Sequence, residues 1–572
     1  MFENLAQLDD GRQARKRAST MFRGFFDPVY GDGNHFVARW LFLRALALIY
    51  FSAFFSLLFQ IRGLIGPDGL LPADQYLPKV TEAFGLLRFW YAPTLLWLSA
   101  GSHMLMAICW IGLAASVLAA VNVWPRLSFF VCFVCYLSFI GAAQDFASYQ
   151  SDGMLLAAGF LVLFLAPRGL WPGWGLGSVP IRAARLLLLW EWFRIYFESG
   201  VVKLESGDPT WRNFTAMYHY YQNGPLPTWI GWYLEHLPHW FQKATAGATL
   251  VMELGVVFLA FLPRRWRIFC FCFVTAWQIG VILTANYAFL NYLVLSLGIL
   301  LLEDQTLIRF IPTRWRKSFQ RSQHPSESEK TAEETTETSP AHEEDSITEE
   351  APSVRPPRWR RSLRTLRISL VAFILCWVFY GTIVPVLQLA WRGVPLPEQP
   401  IYALAPFRIA NRYGLFAVMT PARYLIEFQG SNDGVHWTAY PYRYQPQNVH
   451  QAPGIYAPYQ PRFDWNLWFA SLGNWRQYPF VLNCEARLLL GSPAVLQLFA
   501  GNPFPSAPPR YVRTVVWQYW FSTPEEKRTQ GVWWTRTLLG LYAPPLERTP
   551  DGHVALFEPP LQLQAEPAQV VK

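Results

Sequence analysis

A run of acidic and basic residues continues an apolar segment near the middle of the chain. Glu191, Arg194, Glu198 and Lys203 come directly after Leu186-Leu-Leu-Leu-Trp190. On a helix the first three fall on one narrow stripe together with Glu205, and i,i+3 and i,i+4 spacing lets Arg194 pair with Glu191 and Glu198. A charge deep in a bilayer costs about 2.5–3.5 kcal/mol, so such residues face protein or water and are usually paired. The pattern predicts a buried ion network within a membrane helix.

Lys203 is a charged residue of this segment whose side chain could take part in catalysis. It lies about 120° around the helix from the charged stripe, so we expect its partner on another helix. Glu253, within the apolar run 250–262, is the first candidate and Asp152 the second. A desolvated lysine can also lose its proton and act as a base. Two interpretations stay open: ion pairs that fix helix packing, or a charged pocket for a substrate or client. Gly200 permits close helix approach, or a kink if the helix is disturbed there.

An aromatic loop follows the charged helix. Asp208-Pro209 marks a turn, and the loop then carries Trp211, Tyr218, His219 and Tyr220. Such a stretch is typical of the aromatic belt at a membrane interface. The sequence has no phosphate-cradling glycine loop, no metal-ligand spacing and no Gly-x-Ser-x-Gly elbow. We therefore predict neither a metal nor a cofactor, and we do not expect the protein to be a lipase itself.

The composition indicates the class of protein to which these charged residues belong. Hydrophobic residues make up 52% of the 572 residues and charged residues only 15%, against about 25% charged in an ordinary soluble domain. This excludes a disordered or collagen-like chain. The formal net charge is +9, but the basic residues flank apolar runs, as expected of charges that orient membrane helices rather than bind nucleic acid.

Apolar runs long enough for membrane helices recur along the chain. A spanning helix needs about 20 mainly apolar residues, although the fourth and eighth candidates are short and could be re-entrant. The candidates are 39–60, 96–121, 125–142, 153–167, 184–204, 244–262, 267–285, 287–302 and 367–391. The sequence thus predicts a polytopic α-helical membrane protein with about nine transmembrane helices.

The loop charges predict the orientation of these helices. Arginines cluster at Arg12 to Arg23, Arg264 to Arg267 and Arg314 to Arg321, whereas 142–152 and 284–288 contain no Lys or Arg. Because cytoplasmic loops carry the excess of Lys and Arg, nine spans with a cytoplasmic N-terminus fit this distribution. The C-terminal region then lies outside the cytoplasm.

Five segments follow from this reading. Residues 1–38 form a cytoplasmic N-terminal segment, 39–310 a helical membrane domain with about eight spans, and 311–366 an acidic cytoplasmic linker. The linker is rich in Ser, Thr and Glu, a composition that cannot bury a core and predicts disorder. Residues 367–391 form the last transmembrane helix, and 392–572 an extracytoplasmic domain.

The C-terminal region alternates polar and apolar residues in several runs. Arg423–Phe428 and Val435–Tyr440 flank the turn sequence Ser431–Gly434, which predicts a β-hairpin. Tyr511–Phe521 is a further predicted strand. Asp464–Leu472 and Ala486–Phe499 have helical patterns. We expect one α+β domain rich in antiparallel β-strands.

Several long motifs resemble one family. Phe197-Glu-Ser-Gly-Val-Val-Lys-Leu204, then Asp208-Pro-Thr-Trp211 and Tyr218-His-Tyr220, closely resemble the lipase maturation factor family. Thr284–Asn291 does so too, with Ala285 and Ala288 in place of the family's Gly and Asn. The likeness continues through Tyr413–Phe416, Gly430–Gly434, Pro458–Arg462, Trp468–Ala470, Asn502–Pro505 and Trp533–Trp534.

The resemblance implies a function and a location. Family members are multi-pass membrane proteins, and the animal ones help secreted lipases reach an active state in the endoplasmic reticulum. It therefore implies a non-enzymatic maturation factor or chaperone whose partners are an exported client, the lipid bilayer and no nucleic acid. The sequence ends without a retention motif, so we expect a bacterial cytoplasmic membrane, or the endoplasmic reticulum in a eukaryote. Tyr459, Trp465 and Trp468 could form client-binding aromatic patches.

A weaker likeness suggests an alternative function. The Gly200-Val-Val-Lys-Leu204 region resembles the membrane domain of the vitamin K-dependent γ-carboxylases, which implies a catalytic base at Lys203. Where those enzymes have His-Ser-Tyr, this chain has Ala147-Ser148-Tyr149, which weakens the case for their chemistry. A membrane enzyme is thus the second hypothesis. A transporter is the third, although no two-fold repeat of the helices supports it.

Overall fold

A computed structural model of the protein describes residues 20–147, 149–323, 358–391 and 393–557. The remaining residues lie outside the described part of the chain. They include 1–19 of the predicted N-terminal segment and 324–357 of the predicted acidic linker, so the disorder expected there stays a prediction.

Each of the nine apolar runs forms a helix within the described residues. The apolar side chains pack against neighbouring helices or form an apolar outer surface. The nine principal helices are α1 (Phe36–Leu58), α2 (Ser102–Ala120), α3 (Pro125–Ile140), α4 (Gln150–Leu165), α5 (Arg182–Glu205), α6 (His239–Leu254), α7 (Arg264–Thr284), α8 (Leu290–Gly298) and α9 (Arg358–Ala390). A 3₁₀ turn extends α6 to Phe261, and another extends α8 to Leu301.

Five of these helices are long and apolar enough to cross a membrane: α1, α2, α6 with its extension, α7, and α9 from Ser362 onward. The helices α3, α4 and α8 are apolar but shorter. The twelve residues from Leu290 to Leu301 would rise only about 18 Å, against a hydrocarbon core of about 30 Å. The protein is therefore a multi-pass membrane protein, and the full count of nine crossings stays a prediction.

Shorter helices connect the principal ones and complete the C-terminal domain. Their bounds are Ile61–Ile65, Ala73–Phe84, Arg88–Tyr91, Pro209–Arg212, Met217–Asn223, Trp229–Glu235, Asp304–Leu307, Thr313–Gln323, Gln399–Leu404, Pro493–Leu496 and Pro524–Gln530.

The C-terminal domain contains a five-stranded antiparallel sheet with the order β2-β1-β3-β4-β5. Its strands are β1 (Arg423–Ser431), β2 (Thr438–Ala439), β3 (Tyr511–Phe521), β4 (Trp534–Arg548) and β5 (Val554–Leu556). Two helices pack against it, α10 (Arg462–Ser471) on β1 and α11 (Pro479–Leu489) on β3 and β4. The antiparallel sheet and the strand predicted at Tyr511–Phe521 are confirmed.

Two predicted elements of this domain were wrong in extent. The second hairpin strand is only Thr438–Ala439, because Asp433 Oδ1 accepts hydrogen bonds from the amides of Val435 and His436 and holds these residues in the turn. The helix predicted at Ala486–Phe499 is interrupted. Gly491 has a φ of 65° there, a left-handed conformation that ends a helix.

The two domains share one hydrophobic core. Buried side chains connect without interruption from the membrane helices to the sheet, and Phe146 of the membrane domain packs on Phe480 of α11. Polar contacts add to this interface, since Arg487 donates to the carbonyls of Gly69 and Pro67 at 3.1 Å each. The C-terminal domain therefore packs directly against the membrane domain and is not joined to it by the connecting chain alone.

Candidate functional site: a buried charge network and the cavity beside it

The predicted ion network is present on α5. The guanidinium of Arg194 lies 2.6 Å from Glu191 Oε2 and 3.1 Å from Glu198 Oε1, and all three side chains are buried. The i,i+3 and i,i+4 spacing places both acids on either side of the arginine. Glu205, which the sequence predicts on the same stripe, lies two turns beyond Glu198 and is exposed, so the buried network ends at Glu198.

The network also binds the backbone of a distant segment, residues 411–420, which we call the docking segment. Arg194 donates to the Asn411 carbonyl at 2.8 Å, and the amide of Tyr413 donates to Glu198 Oε2 at 2.7 Å. The Tyr413 hydroxyl donates to Glu191. The docking segment immediately precedes β1. These charges therefore hold the start of the C-terminal domain against the membrane domain.

Lys203 pairs with the partner predicted for it. Its Nζ lies 2.9 Å from Glu253 Oε1 on α6, and both side chains are buried. Nζ also donates to the Leu415 carbonyl of the docking segment at 2.9 Å and lies 5.1 Å from the centre of the Trp211 ring. The pairing with Glu253 is confirmed. The lysine is surrounded by acceptors and an aromatic ring, as buried cations usually are.

Gly200 makes the pairing of α5 with α6 possible. A Cβ atom at this position would lie 2.9 Å from the Cβ of Glu253 and 2.8 Å from a methyl carbon of Leu254. These distances are shorter than real Cβ contacts, so only glycine lets the two helices approach closely enough for Lys203 to reach Glu253. The helix runs unbroken from Arg182 to Glu205, so Gly200 serves close approach rather than a kink.

The aromatic loop holds the other half of the docking segment. Asp208 caps the short helix that begins at Pro209, and its Oδ2 accepts from the Met419 amide at 2.7 Å. Trp211 Nε1 donates to the Phe416 carbonyl at 2.9 Å. Burial would raise the pKa of Asp208, but hydrogen bonds from the backbone amides of Met419 and Thr210 lower it below its ordinary value. The loop residues thus act together with the charges on α5.

The remaining loop residues line cavities or pack on neighbours. His219 and Tyr220 border a groove against the C-terminal domain, and Tyr220 also lines the cavity described below. Tyr218 packs on His239 at the start of α6, with 4.6 Å between ring centres. Burial lowers the pKa of His219 below its ordinary value.

A further buried ion pair, between Arg462 and Asp152, was not predicted. Arg462 of α10 donates to Asp152 on α4 at 2.7 and 2.8 Å, and both side chains are buried. The hydroxyl of Tyr136 accepts from Arg462 and donates to Asp152, at 2.8 and 2.6 Å. Asp152 was the second candidate partner for Lys203, and that assignment was wrong. The sequence around Arg462 gives no sign of this pairing, since Asp464 lies only two positions away and offers a nearer acid.

The motif Thr284–Asn291 makes a third contact between the domains. Asn286 Nδ2 donates to the Gly454 carbonyl at 2.9 Å, and its Oδ1 accepts from the amides of Tyr456 and Ala457. Ala288 has a φ of 49°, so an alanine takes the left-handed conformation in this turn. One side-chain amide here satisfies the backbone of a loop in the other domain.

A cavity of about 510 Å³ lies beside the Lys203–Glu253 pair. Helices α5, α6, α7 and α8 form its walls, and the aromatic loop and docking segment contribute further residues. Its lining is mainly apolar and aromatic, and includes Trp211, Tyr220, Met252 and Trp277. The volume falls within the range of roughly 300–1,000 Å³ seen for small-molecule sites.

A neighbouring groove of about 360 Å³ lies between the two domains. The docking segment from Gly414 to Thr420 forms one side and α10 the other, with Trp465 and Trp468 in the lining. The aromatic patch predicted from Tyr459, Trp465 and Trp468 was wrong as an open surface. Trp465 is only 5% exposed and the other two are half-buried, because they pack at the domain interface.

The described residues bring together no group of three His, Cys, Asp or Glu side chains that could hold a metal ion. What the arrangement does is hold the C-terminal domain on the membrane domain through three sets of buried polar side chains. Two sets bind backbone amides and carbonyls, those of the docking segment and those of residues 454–457. The third is the side-chain pair of Asp152 and Arg462. The arrangement also leaves a sizeable apolar cavity next to one of these sets.

Both domains match models of known protein families. The model of the lipase maturation factor transmembrane domain matches residues 37–309, and that of the lipase maturation factor C-terminal domain matches residues 409–544. The chain is 30% identical to lipase maturation factor 1 of Bos taurus over 94% of this chain and 91% of the relative. It is 32% identical to lipase maturation factor 2 of Gallus gallus, over 90% of this chain and 83% of the relative.

A human protein is similar over most of the chain as well. Lipase maturation factor 2 of Homo sapiens is 31% identical over 87% of this chain and 81% of that protein. No solved protein structure matches the chain. The similarity runs through the membrane helices, the docking segment and the sheet alike, and the chain therefore belongs to the lipase maturation factor family.

Proposed function

We propose that this protein is a membrane-embedded maturation factor that helps exported lipases reach a folded, active state. The observation that carries the proposal is the similarity to lipase maturation factors over both domains in order, across 94% of the chain. The role is non-enzymatic. In support, the polar residues of the site are engaged with the protein's own backbone, and they fix one domain on the other.

The groove between the domains is the client site in this proposal. Its wall includes Val418, whose side chain is 64% exposed, together with Trp468 and Phe469. An exposed apolar residue beside aromatic ones suits an extended apolar segment of a lipase that has not finished folding. The docking segment carries Val418, so the buried charges hold the client surface in position.

The topology belongs to the same proposal. All nine helices cross or enter the bilayer, with the N-terminus in the cytoplasm and the C-terminal domain on the export side, where a client would meet it. The distribution of arginines between loops supports this orientation. The host membrane is a bacterial cytoplasmic membrane, or that of the endoplasmic reticulum if the source is a eukaryote.

The test is the specific activity of a secreted lipase in cells with and without this protein. We expect the lipase to lose activity per molecule without it, while its translated amount is unchanged. Val418→Glu should reproduce that loss because it places a charge on the groove wall. Val435→Glu is the matched control, since Val435 is 59% exposed in the hairpin turn away from the groove. Equal lipase activity with and without the protein would reject the proposal.

A membrane enzyme that uses Lys203 as a base is the second candidate, favoured by the position of Lys203 on the wall of the large cavity. Lys203→Arg separates the two. Arginine keeps a positive charge opposite Glu253 but is not deprotonated in proteins. Under the maturation proposal a folded Lys203→Arg protein still supports lipase activity. Complete loss in a protein with an unchanged melting temperature would favour the enzyme.

A further inference from the structure

One buried carboxylate oxygen beside the large cavity lacks a hydrogen-bond partner. Glu253 Oε1 accepts from Lys203, whereas Glu253 Oε2 is buried and has no donor among the residues that the structure describes. Glu253 lines the cavity. A buried carboxylate oxygen without a donor is destabilising, and a ligand that donates a hydrogen bond would remove this cost.

The cavity is accessible from the outer surface of the helices. Ala244 of α6 and Ala276 and Gly280 of α7 line the cavity and are also exposed. Nothing lies within 4 Å of the position that a Cβ of Gly280 would take. Because α6 and α7 are both apolar enough to cross a membrane, a ligand would enter between them from the lipid phase.

The charges beside the cavity favour a neutral ligand. Lys203 and Glu253 neutralise each other at 2.9 Å, so the pair carries no net charge for an ionic head group. An anionic head would meet the free carboxylate oxygen and be repelled, and its own oxygens could not donate to it. A hydroxyl group is neutral and donates.

We propose that this cavity binds a neutral single-chain lipid with a hydroxyl-bearing head, of the monoacylglycerol type. The chain lies against the apolar wall formed by residues such as Met252, Trp277 and Val281. A head-group hydroxyl donates to Glu253 Oε2. This binding goes beyond the maturation role and does not rest on it, since it is measured on the purified protein without a lipase.

Native mass spectrometry of the full-length protein tests the assignment with three probes that share one hydrocarbon chain. 1-Monooleoylglycerol has donor hydroxyls, methyl oleate has none, and oleate is anionic. We expect 1-monooleoylglycerol to bind about tenfold more tightly than either of the others, as a hydrogen bond to a charged group implies. Preference for oleate, or equal binding of all three, would overturn the assignment of a donor to Glu253.

Cavity-filling variants locate the bound lipid. Ala248→Phe on α6 and Ala276→Leu on α7 each place new side-chain volume in the cavity and leave both residues of the ion pair unchanged in sequence. Each should weaken 1-monooleoylglycerol binding about tenfold or more, because the chain can no longer occupy the apolar wall. Ala114→Phe, at an exposed position of α2, is the matched control. Unchanged binding in both cavity variants, with unchanged melting temperatures, would show that the lipid binds elsewhere.

Discussion

Buried charges in this protein find their partners across long distances in the sequence. Arg462 and Asp152 are 310 positions apart, yet two hydrogen bonds join them in a site where both are buried. Removing one partner of such a pair leaves an uncompensated charge, whereas an exposed pair is screened by water. The difference predicts which acidic residues stabilise the fold.

Asp152→Asn should lower the free energy of unfolding by about 3–5 kcal/mol, because Arg462 then remains buried without a counter-charge. Asp68→Asn is the matched control. Asp68 is 78% exposed and lies 4.0 Å from Arg487, so its loss should cost about 0–1 kcal/mol. Thermal unfolding in detergent measures both. Equal melting temperatures for the two variants would contradict the role assigned to the buried pair.

Asp464 makes stability depend on pH. Burial raises the pKa of this carboxyl from its ordinary value of about 3.8 to about 7. Between these values the folded protein keeps a proton that the unfolded chain releases, so stability falls as the pH rises from about 4 to 7, by at most roughly 1.4 kcal/mol per pH unit. Below and above that window this group contributes no slope.

Asp464→Asn should flatten the pH dependence, since the amide can still accept from the amides of Tyr444 and Gln445 as Asp464 does now. Melting temperatures measured in steps from pH 4 to pH 8 provide the comparison. Asp551→Asn, at an exposed turn, should leave the slope as it is. A slope that survives in Asp464→Asn would mean that another group titrates.

At the scale of elements, the contact between α5 and α6 is the one that positions Lys203. It depends on a residue without a side chain at Gly200, where an added Cβ would lie only 2.9 Å from the Cβ of Glu253 and 2.8 Å from a methyl carbon of Leu254. Packed helices tolerate extra volume poorly because their interiors are already dense.

Gly200→Ala should therefore destabilise the protein by about 1–3 kcal/mol, as overpacking does. It should also separate Lys203 from Glu253. Gly280→Ala is the helical control, because nothing lies within 4 Å of the Cβ that it would add. That change should be neutral or raise stability by up to about 1 kcal/mol through helix propensity. If both variants have the same melting temperature as the unmodified protein, the close approach of α5 and α6 is not required for stability.

At the scale of the whole molecule, the C-terminal domain supplies hydrogen-bond partners for buried polar groups of the membrane domain. Glu198, Asp208 and Lys203 each satisfy part of their hydrogen-bonding capacity on the docking segment. Without that segment these groups would lie uncovered in the membrane domain. We therefore expect the C-terminal domain to stabilise the membrane domain.

A chain that ends at residue 391 should be unstable as a membrane protein. Trypsin should cleave its loops at least about tenfold faster than in the full chain, since one uncompensated buried charge costs about 3–5 kcal/mol. A chain that ends at residue 557 retains the described C-terminal domain and serves as the control. If the shorter fragment is as resistant to trypsin as the control, the docking segment does not stabilise the membrane domain.

The sequence by itself determined the local features. Apolar run length predicted the helices, alternation predicted β1 and β3, and helical spacing predicted the pairing of Arg194 with Glu191 and Glu198. These features depend on residues close together in the chain, so periodicity is sufficient to find them. The pairing of Lys203 with Glu253 was also predicted, because an unpaired charge in an apolar run needs a partner and few acids were available.

Only the tertiary structure decided what the charges hold. Nothing in the local pattern of Tyr413 or Met419 indicates that their backbone amides bind acids more than 200 positions earlier. The same applies to Arg462 and to the burial of Trp465, which a sequence pattern presented as an open patch. Backbone amides look alike in any sequence, so their partners emerge only when packing brings two distant segments together and excludes water from between them.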